Sequence, residues 1–349
     1  MYKSASAPTL AQLSAFDEII DVRSPAEFAE DHVPGAINLP VLDDAERARI
    51  GTLHKQASAF DAKKAGAGLV ARNIARHLET HFAAKPAAYR PLVYCWRGGN
   101  RSGSLTHVLQ KIGFHAQALP GGYKTYRRAV REELEARPAQ FAYRVLCGPT
   151  GSGKSRLLAA LAAAGAQALD LEALASHRGS LLGQLPGAAQ PRQKYFDSLI
   201  AQALRGLDPA RPVYVEAESK KIGNLGVPDA LLAAMRQSSC LRLEVPLQAR
   251  VQLLLEDYAH FLAQPELLAS LLGHLSELRG GTLVAHWQYL IRDRQWDTLV
   301  QSLLETHYDP AYRKSIEHNY PARAEDRVLH LMRVDAGGLA AAAGALAAA

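Results

Sequence analysis

Short apolar runs, each closed by a charged or turn-forming residue, alternate along this chain with longer stretches of helical spacing. Asp17-Glu18-Ile19-Ile20-Asp21-Val22-Arg23 predicts a short apolar strand ending in a carboxylate. Ser24-Pro25-Ala26-Glu27 predicts a helix start, with serine as cap and proline in the first helical position. Residues 32–40 read as a turn and a short strand, and 45–82 as mostly helical. Pro91-Leu92-Val93-Tyr94 predicts an apolar strand, 102–112 a helix, and Ala118-Leu119 with Gly121-Gly122-Tyr123 a further strand and turn. The stretch 126–138 is rich in Arg and Glu and predicts a helical linker. Strands are expected again near 141–146, 212–216 and 240–245, and helical spacing dominates 247–304. From Gly337 onward the chain is nearly all Ala and Gly, which predicts a frayed helix or disorder. This order implies an α/β protein with parallel sheets. The expected divisions are a first domain over 1–130, a linker over 131–140, a second domain with a helical C-terminal part over 141–336, and a tail over 337–349.

Composition narrows the class. Of 349 residues, 48% are hydrophobic and 21% charged, which fits globular domains rather than disorder. Length alone suits two domains. No apolar run is long enough to cross a membrane, and no apolar segment follows the first residues, so a soluble, cytoplasmic protein is expected. The net charge of +6 permits an anionic partner without requiring one. Three cysteines, Cys95, Cys147 and Cys240, stand far apart with no zinc-like spacing, so neither a disulfide framework nor a metal centre is expected.

Cys95-Trp96-Arg97-Gly98-Gly99-Asn100-Arg101-Ser102 lies between a predicted strand and a predicted helix. Such a loop can curl its backbone N–H groups inward as an anion-binding nest, with glycines supplying positive φ and the helix N-terminus adding partial positive charge. Cys95 would then sit as a thiolate, with Arg97 and Arg101 binding an oxyanion. A buried strand-end cysteine with two surface arginines is the plainer alternative. Residues 15–130 resemble the rhodanese family, on Asp21-Val22-Arg23-Ser24-Pro25, His32-Val33-Pro34-Gly35-Ala36, the Cys95 loop and Gly121-Gly122-Tyr123-Lys124. That resemblance implies a loop cysteine that carries sulfur or selenium, and structural rather than catalytic roles for Asp21 and Arg23. Phosphatases of the same fold have a longer loop, so the shorter one here favours chalcogen transfer.

Gly148-Pro149-Thr150-Gly151-Ser152-Gly153-Lys154-Ser155 has every position of a phosphate-binding P-loop and follows a predicted strand. The site residues expected from it are Gly148, Thr150, Gly151, Ser152, Gly153, Lys154 and Ser155. Lys154 supplies charge, and Ser155 is the residue type that ligates Mg²⁺. The loop recognises phosphate rather than a base, so a diphosphate other than a nucleotide fits equally. Asp170, Glu216 and Glu218 are alternative partner carboxylates, with Lys220 beside them; exposed strand-end acids are the plainer reading of each. The usual partner is Asp, so Glu at 216 or 218 departs from ordinary ATP hydrolysis. Cys147 and Cys240 read as core.

The fusion of these two domains resembles the tRNA 2-selenouridine synthase family over residues up to about 320. The resemblance is carried by the Cys95 loop with Trp96, by 148–155, by His177-Arg178-Gly179-Ser180, by Gln193-Lys194-Tyr195-Phe196-Asp197, by Glu216-Ala217-Glu218-Ser219-Lys220-Lys221, and by His307-Tyr308-Asp309-Pro310-Ala311-Tyr312. It implies a rhodanese-like domain with a parallel sheet followed by a P-loop NTPase-like α/β domain with a helical C-terminal extension. It also implies a wobble-uridine transferase with geranyl diphosphate and selenophosphate as co-substrates and no tightly bound cofactor. 2-Thiouridine would be S-geranylated at the P-loop and then selenated at Cys95. For tRNA, the basic candidates are Arg127, Arg128, Arg178, Lys194 and Lys221, with Trp287 and Trp296 as stacking residues; solvated helix faces and core tryptophans are the alternative. Two other readings compete: a sulfurtransferase fused to an ATP-dependent small-molecule kinase, and a nucleotide-gated RNA-binding module with a relic rhodanese domain.

Overall fold

The computed structural model describes residues 10–56, 58–321 and 324–348. Contacts divide the chain into two units: 1–133 with 192–202, and 134–191 with 203–349. The expected second domain therefore gives up 192–202 to the first. The expected linker over 131–140 is not a separate element, because one helix runs Gly122–Ala136 and a 3-10 turn follows over Pro138–Gln140.

The first unit holds β1 (Glu18–Asp21), α1 (Pro25–Glu30), β2 (Ile37–Asn38), α2 (Asp44–Gln56), α3 (Ala59–His77), β3 (Pro91–Tyr94), α4 (Asn100–Ile112), β4 (Gln117–Ala118) and the start of α5 (Gly122–Ala136). Its four strands are parallel in the order β2-β1-β3-β4. β3, at the centre of the sheet, is buried at all four positions without alternation because both faces of a parallel sheet are covered. Ile20, Val93, Leu105 and Leu109 form the centre of this core. α1 begins as expected: the Ser24 N–H donates to Glu27 Oε2 at 3.1 Å. α4 ends at Gly113, whose φ of +116° lies outside what other residues readily adopt.

The second unit contains β5 (Tyr143–Cys147), α6 (Lys154–Ala163), β6 (Gln167–Leu169), α7 (Leu171–Ala175), the end of α8 (Gln193–Arg205), β7 (Val213–Glu216), the hairpin β8 (Lys221–Ile222) and β9 (Leu225–Gly226), α9 (Asp229–Arg236) and β10 (Ser239–Glu244). Helices follow as α10 (Leu247–Asp257), α11 (Ala259–Leu262), α12 (Pro265–Gly273), α13 (Ser276–Arg279), α14 (Gly281–Arg292), α15 (Trp296–Leu303) and α16 (Asp309–Asn319), then β11 (Arg327–His330) and α17 (Ala336–Ala347). The sheet is parallel throughout, in the order β11-β10-β5-β7-β6. Cys147 and Cys240 are buried in it, as expected. Trp287 is fully buried in a separate helical cluster and donates to Ser302 Oγ at 3.0 Å, so it is core and not a stacking platform.

The Ala/Gly tail departs from expectation. It forms α17, capped by Asp335, whose Oδ1 accepts from Gly338 N at 2.8 Å. Leu339, Ala343 and Leu346 recur at helical spacing and join the core cluster that contains Leu157 and Leu161 of α6. Three apolar side chains on one stripe are enough to dock a helix of otherwise featureless composition.

Candidate functional site

Each unit builds one anion cradle at the carboxyl end of its sheet, where parallel α/β folds place ligands. In the first, Cys95 follows β3 and α4 opens five residues later. Gly98 takes φ of +65° and Gly122 takes +55°. A Cβ on Gly122 would lie 2.2 Å from the Cys95 carbonyl oxygen, so only glycine lets the two backbones meet. Tyr123 N donates to Cys95 O at 2.8 Å and Lys124 N to Trp96 O at 3.0 Å, fastening the loop to this turn.

The Cys95 side chain is 4% exposed and packs on one side against the first core cluster. Its sulfur nonetheless accepts from Ser102 Oγ at 3.2 Å. Burial alone would raise its pKa. Hydrogen bonds from the Ser102 hydroxyl and from the backbone of Ser102, Gly99 and Arg97 outweigh burial and hold the thiol below its ordinary value. This is the nest expected from the sequence.

Arg97 and Trp96 are exposed at the loop mouth, Trp96 with its ring 5.2 Å from that of Tyr123. Arg101, expected to bind an oxyanion, is instead committed: its Nη1 donates to Glu27 Oε2 at 2.6 Å and Nη2 to Oε1 at 3.2 Å. A guanidinium with a matching carboxylate already in its fork positions α4 against α1 rather than receiving substrate. Asp21 and Arg23 are buried and paired, with Arg23 Nη2 2.6 Å from Asp21 Oδ2, as their structural reading required. An open groove of about 840 Å³ flanks the Gly99–Arg101 side of the loop, with Ile50 and Val70 in its wall and Lys63 and His107 among its polar residues.

In the second unit, the P-loop connects β5 to α6. Gly151 and Gly153 both take φ of +78°. Lys154 Nζ donates to the Gly148 carbonyl at 2.8 Å, spanning the cradle. Ser152 Oγ is buried and has no hydrogen-bond partner among the described residues. The cradle opens into a cavity of about 410 Å³ whose wall includes Thr150, Gly151, Gly153, Lys154, Ser155, Asp170 and Glu216. Asp170 caps α7 by accepting from Ala173 N at 2.8 Å. Glu216 ends β7 beside β5, and Glu218 follows it; both are buried.

Lys220 is not part of this site: it is exposed and lies 3.5 Å from Asp229. Among the basic residues assigned to tRNA, Arg127 is taken up by Asp197 and by the Lys194 carbonyl. Arg178 lines the phosphate cavity, donating to the Asp257 carbonyl at 2.9 Å. Arg128, Lys194 and Lys221 are exposed, the first beside Glu132 and the second 3.0 Å from Glu30.

Three features escaped the sequence reading. Glu172, two residues beyond Asp170, joins Glu216 and Glu218, with carboxylate oxygens within 4.8 Å of one another. Burial, and then repulsion from Glu216, pushes Glu172 up to about 8. Arg250 is buried, donates to the Thr150 carbonyl at 2.9 Å, and pairs with Asp309 at 2.5 Å, tying the His307–Tyr312 motif to the P-loop. Finally, an apolar pocket lined by Leu254, Phe261, Leu268, Trp296, Leu303 and Tyr308 adjoins the phosphate cavity; Thr150, Ser180, Leu254 and Tyr258 line both. Trp296 thus sits in a pocket wall. Only the Asp-Leu-Glu spacing could have flagged Glu172; Arg250 meets Thr150 and Asp309 across 100 and 59 residues, and the pocket gathers side chains from several separate helices.

Comparison with known proteins agrees with both halves. Residues 141–271 match the family described as tRNA 2-selenouridine synthase AAA domain, and residues 6–129 the rhodanese-like domain family. Curated relatives named tRNA 2-selenouridine synthase include those of Nitrosomonas europaea, 36% identical over 69% of this chain, and Alcanivorax borkumensis, 39% identical over 69%. These alignments span 63% and 66% of the relatives' own length, slightly under two thirds. That of Shewanella loihica is 31% identical and covers 91% of this chain and 90% of its own. No described helix is long and apolar enough to cross a membrane. With both cradles in place and relatives matched across nearly its whole length, the chain belongs to the tRNA 2-selenouridine synthase family.

Proposed function

We propose that this chain converts 2-thiouridine at the tRNA wobble position to 2-selenouridine by way of an S-geranyl intermediate, in the cytoplasm. The observation that carries the reading is the apolar pocket adjoining the P-loop through Thr150, Ser180, Leu254 and Tyr258. Leu254, Phe261, Leu268 and Leu303 offer no hydrogen bond to the edge of a nucleobase, whereas a prenyl diphosphate needs both a phosphate cradle and an adjoining apolar slot. The same feature disfavours the kinase alternative.

In the first step the thiocarbonyl sulfur of the tRNA base attacks C1 of the prenyl chain, and diphosphate leaves. Lys154, the backbone N–H groups around Gly151–Gly153 and the N-terminus of α6 face the charge that grows on the leaving group. In the second step selenophosphate and water convert the S-geranyl base to the selenocarbonyl, releasing geranylthiol and phosphate. S-alkylation turns a poor leaving group into a better one. Cys95, held toward thiolate in its nest, handles selenium in this step. Arg97, exposed at the loop mouth, meets the phosphoryl group, while Arg101 keeps the loop in place through Glu27. The groove beside the loop offers Ile50 and Val70 to the departing prenyl chain. Exposed Arg128, Lys194 and Lys221 remain for tRNA phosphates.

The test is nucleoside mass analysis of 2-thiouridine tRNA incubated with geranyl diphosphate and selenophosphate. Lys154→Ala should abolish S-geranyl product. Cys95→Ser should accumulate it without selenouridine. Lys154→Ala that loses only ATP binding, or Cys95→Ser that still selenates, would overturn the corresponding half.

A further inference from the structure

His177-Arg178-Gly179-Ser180 opens a short closed loop after α7, in the unit that holds the P-loop. Arg178 N donates to Gly183 O at 2.8 Å, and Gly183 N to Ser180 O at 2.9 Å. Gly179 takes φ of +68°, and a Cβ there would lie 3.0 Å from Glu172 Oε1, so glycine lets the loop pass that carboxylate. Arg178 is half-buried and lines the phosphate cavity together with Lys154 and Ser155.

Two contacts hold its guanidinium. Nη1 donates to the Asp257 carbonyl, at the end of α10, at 2.9 Å. The group lies 5.0 Å from the centre of the Tyr258 ring. Neither contact neutralises the charge, and a guanidinium has N–H donors to spare beyond one carbonyl. Among the described residues no carboxylate forms an ion pair with Arg178. The acids of the same cavity are otherwise engaged. Asp257 takes Arg156 at 2.6 Å, and Asp170 caps α7. Burial, and then repulsion from Glu216, pushes Glu172 up to about 8, and burial raises Glu216 as well, so neither is a ready counter-ion at neutral pH. A guanidinium held in a cavity without a counter-ion marks a place for an anion.

Its position decides which part of the anion it meets. Tyr258 and Ser180 line both the phosphate cavity and the apolar pocket. Arg178, against the Tyr258 ring, therefore stands where the two spaces join, while Lys154 spans the P-loop. We propose that Arg178 is the second cation of the diphosphate site: Lys154 holds the phosphate seated in the P-loop, and Arg178 grips the phosphate that faces the apolar pocket. A planar guanidinium matches two phosphate oxygens at once, which an ammonium does not. Arg178 then serves the diphosphate and not the tRNA backbone expected from the sequence. The inference rests on the proposed function only in naming the anion a diphosphate.

Calorimetric titration of the full chain with inorganic diphosphate, at constant Mg²⁺, reads the site without any prenyl chain. Arg178→Ala should weaken binding by about ten- to a hundredfold, as loss of a charge-assisted hydrogen bond does, and Arg178→Lys should recover part of the loss. Affinity for 2-thiouridine tRNA, followed by fluorescence anisotropy without diphosphate, should stay at the wild-type value. Arg178→Gln keeps an N–H donor for the Asp257 carbonyl but removes the charge. It should melt like wild type and bind diphosphate as weakly as Arg178→Ala, which a purely structural role would not produce. Should the Ala and Gln variants both unfold, Arg178→Lys should still bind diphosphate more weakly than wild type. Undiminished diphosphate binding in the folded variants, or a loss of tRNA affinity in its place, overturns the proposal. Lys154→Ala separates the two readings. If it abolishes diphosphate binding while the Arg178 variants keep it, this inference alone fails; if neither change matters, the P-loop reading fails with it.

Discussion

Arg101 closes a two-pronged ion pair with Glu27, joining the first turn of α4 to α1, with Nη1 2.6 Å and Nη2 3.2 Å from the two carboxylate oxygens. The pair stands at the end of the Cys95 loop, so a residue that looks like a substrate ligand in the sequence acts as a fastener. Arg97, two residues past the cysteine, has the exposure that Arg101 lacks.

The two arginines should therefore respond differently. Arg101→Ala leaves a half-buried carboxylate without its partner and should cost about 1.5–3 kcal/mol of stability. Arg97→Ala should leave the melting temperature within about 1 °C of wild type, as surface changes usually do, and raise the selenophosphate concentration needed for selenation. Thermal melts and selenophosphate titrations of both variants decide this. An Arg101→Ala variant that melts like wild type but needs more selenophosphate would return Arg101 to the substrate.

The Cys95 nest predicts a pH profile. Burial raises the thiol pKa, but hydrogen bonds from Ser102, Gly99 and Arg97 prevail and lower it. Alkylation by iodoacetamide should titrate with a midpoint below about 8.5, the ordinary cysteine value, and Ser102→Ala should move it upward. The sign for stability follows. A depressed thiol pKa stabilises the folded state above the unfolded value near 8.5, and that contribution fades as pH falls through the folded value. Wild type should thus gain on Cys95→Ala as pH rises from 7 to 9 in chemical denaturation. A flat difference would contradict the nest.

Gly122 is predicted to tolerate no side chain. Its φ is +55° and a Cβ would meet the Cys95 carbonyl at 2.2 Å. Gly122→Ala should lose more than about 1 kcal/mol from backbone strain alone, and selenation should fall while geranylation persists. Gly35→Ala, where φ is +84° but nothing lies within 4 Å of the added atom, separates strain from collision.

The C-terminal helix should prove structural. Leu339 is 3% exposed and packs in the α6 core cluster. Leu339→Ala should destabilise the chain by about 2–5 kcal/mol. Removal of 337–349 should lower the melting temperature further and weaken phosphate binding, since α6 begins at Lys154. Unchanged melting after truncation would show that this helix adds nothing.

Local chemistry made much of this protein legible in advance. The Ser24-Pro25-Glu27 helix start, the loop between β3 and α4, and the P-loop between β5 and α6 are short-range devices whose residue types impose their own backbone geometry, so reading them required only neighbours in sequence. Asp21 with Arg23, two residues apart, belongs to the same class. What tertiary structure alone decided was which charged groups were already spoken for. Arg101 meets Glu27, Arg127 meets Asp197 and Arg250 meets Asp309, across 74, 70 and 59 residues; no spacing rule reveals such partners, because chain folding rather than helical or strand period brings them together. The Ala/Gly tail was misjudged for the same reason. Its intrinsic propensity is uninformative, and its order comes from a stripe of Leu339, Ala343 and Leu346 that finds apolar surface only once α6 is in place.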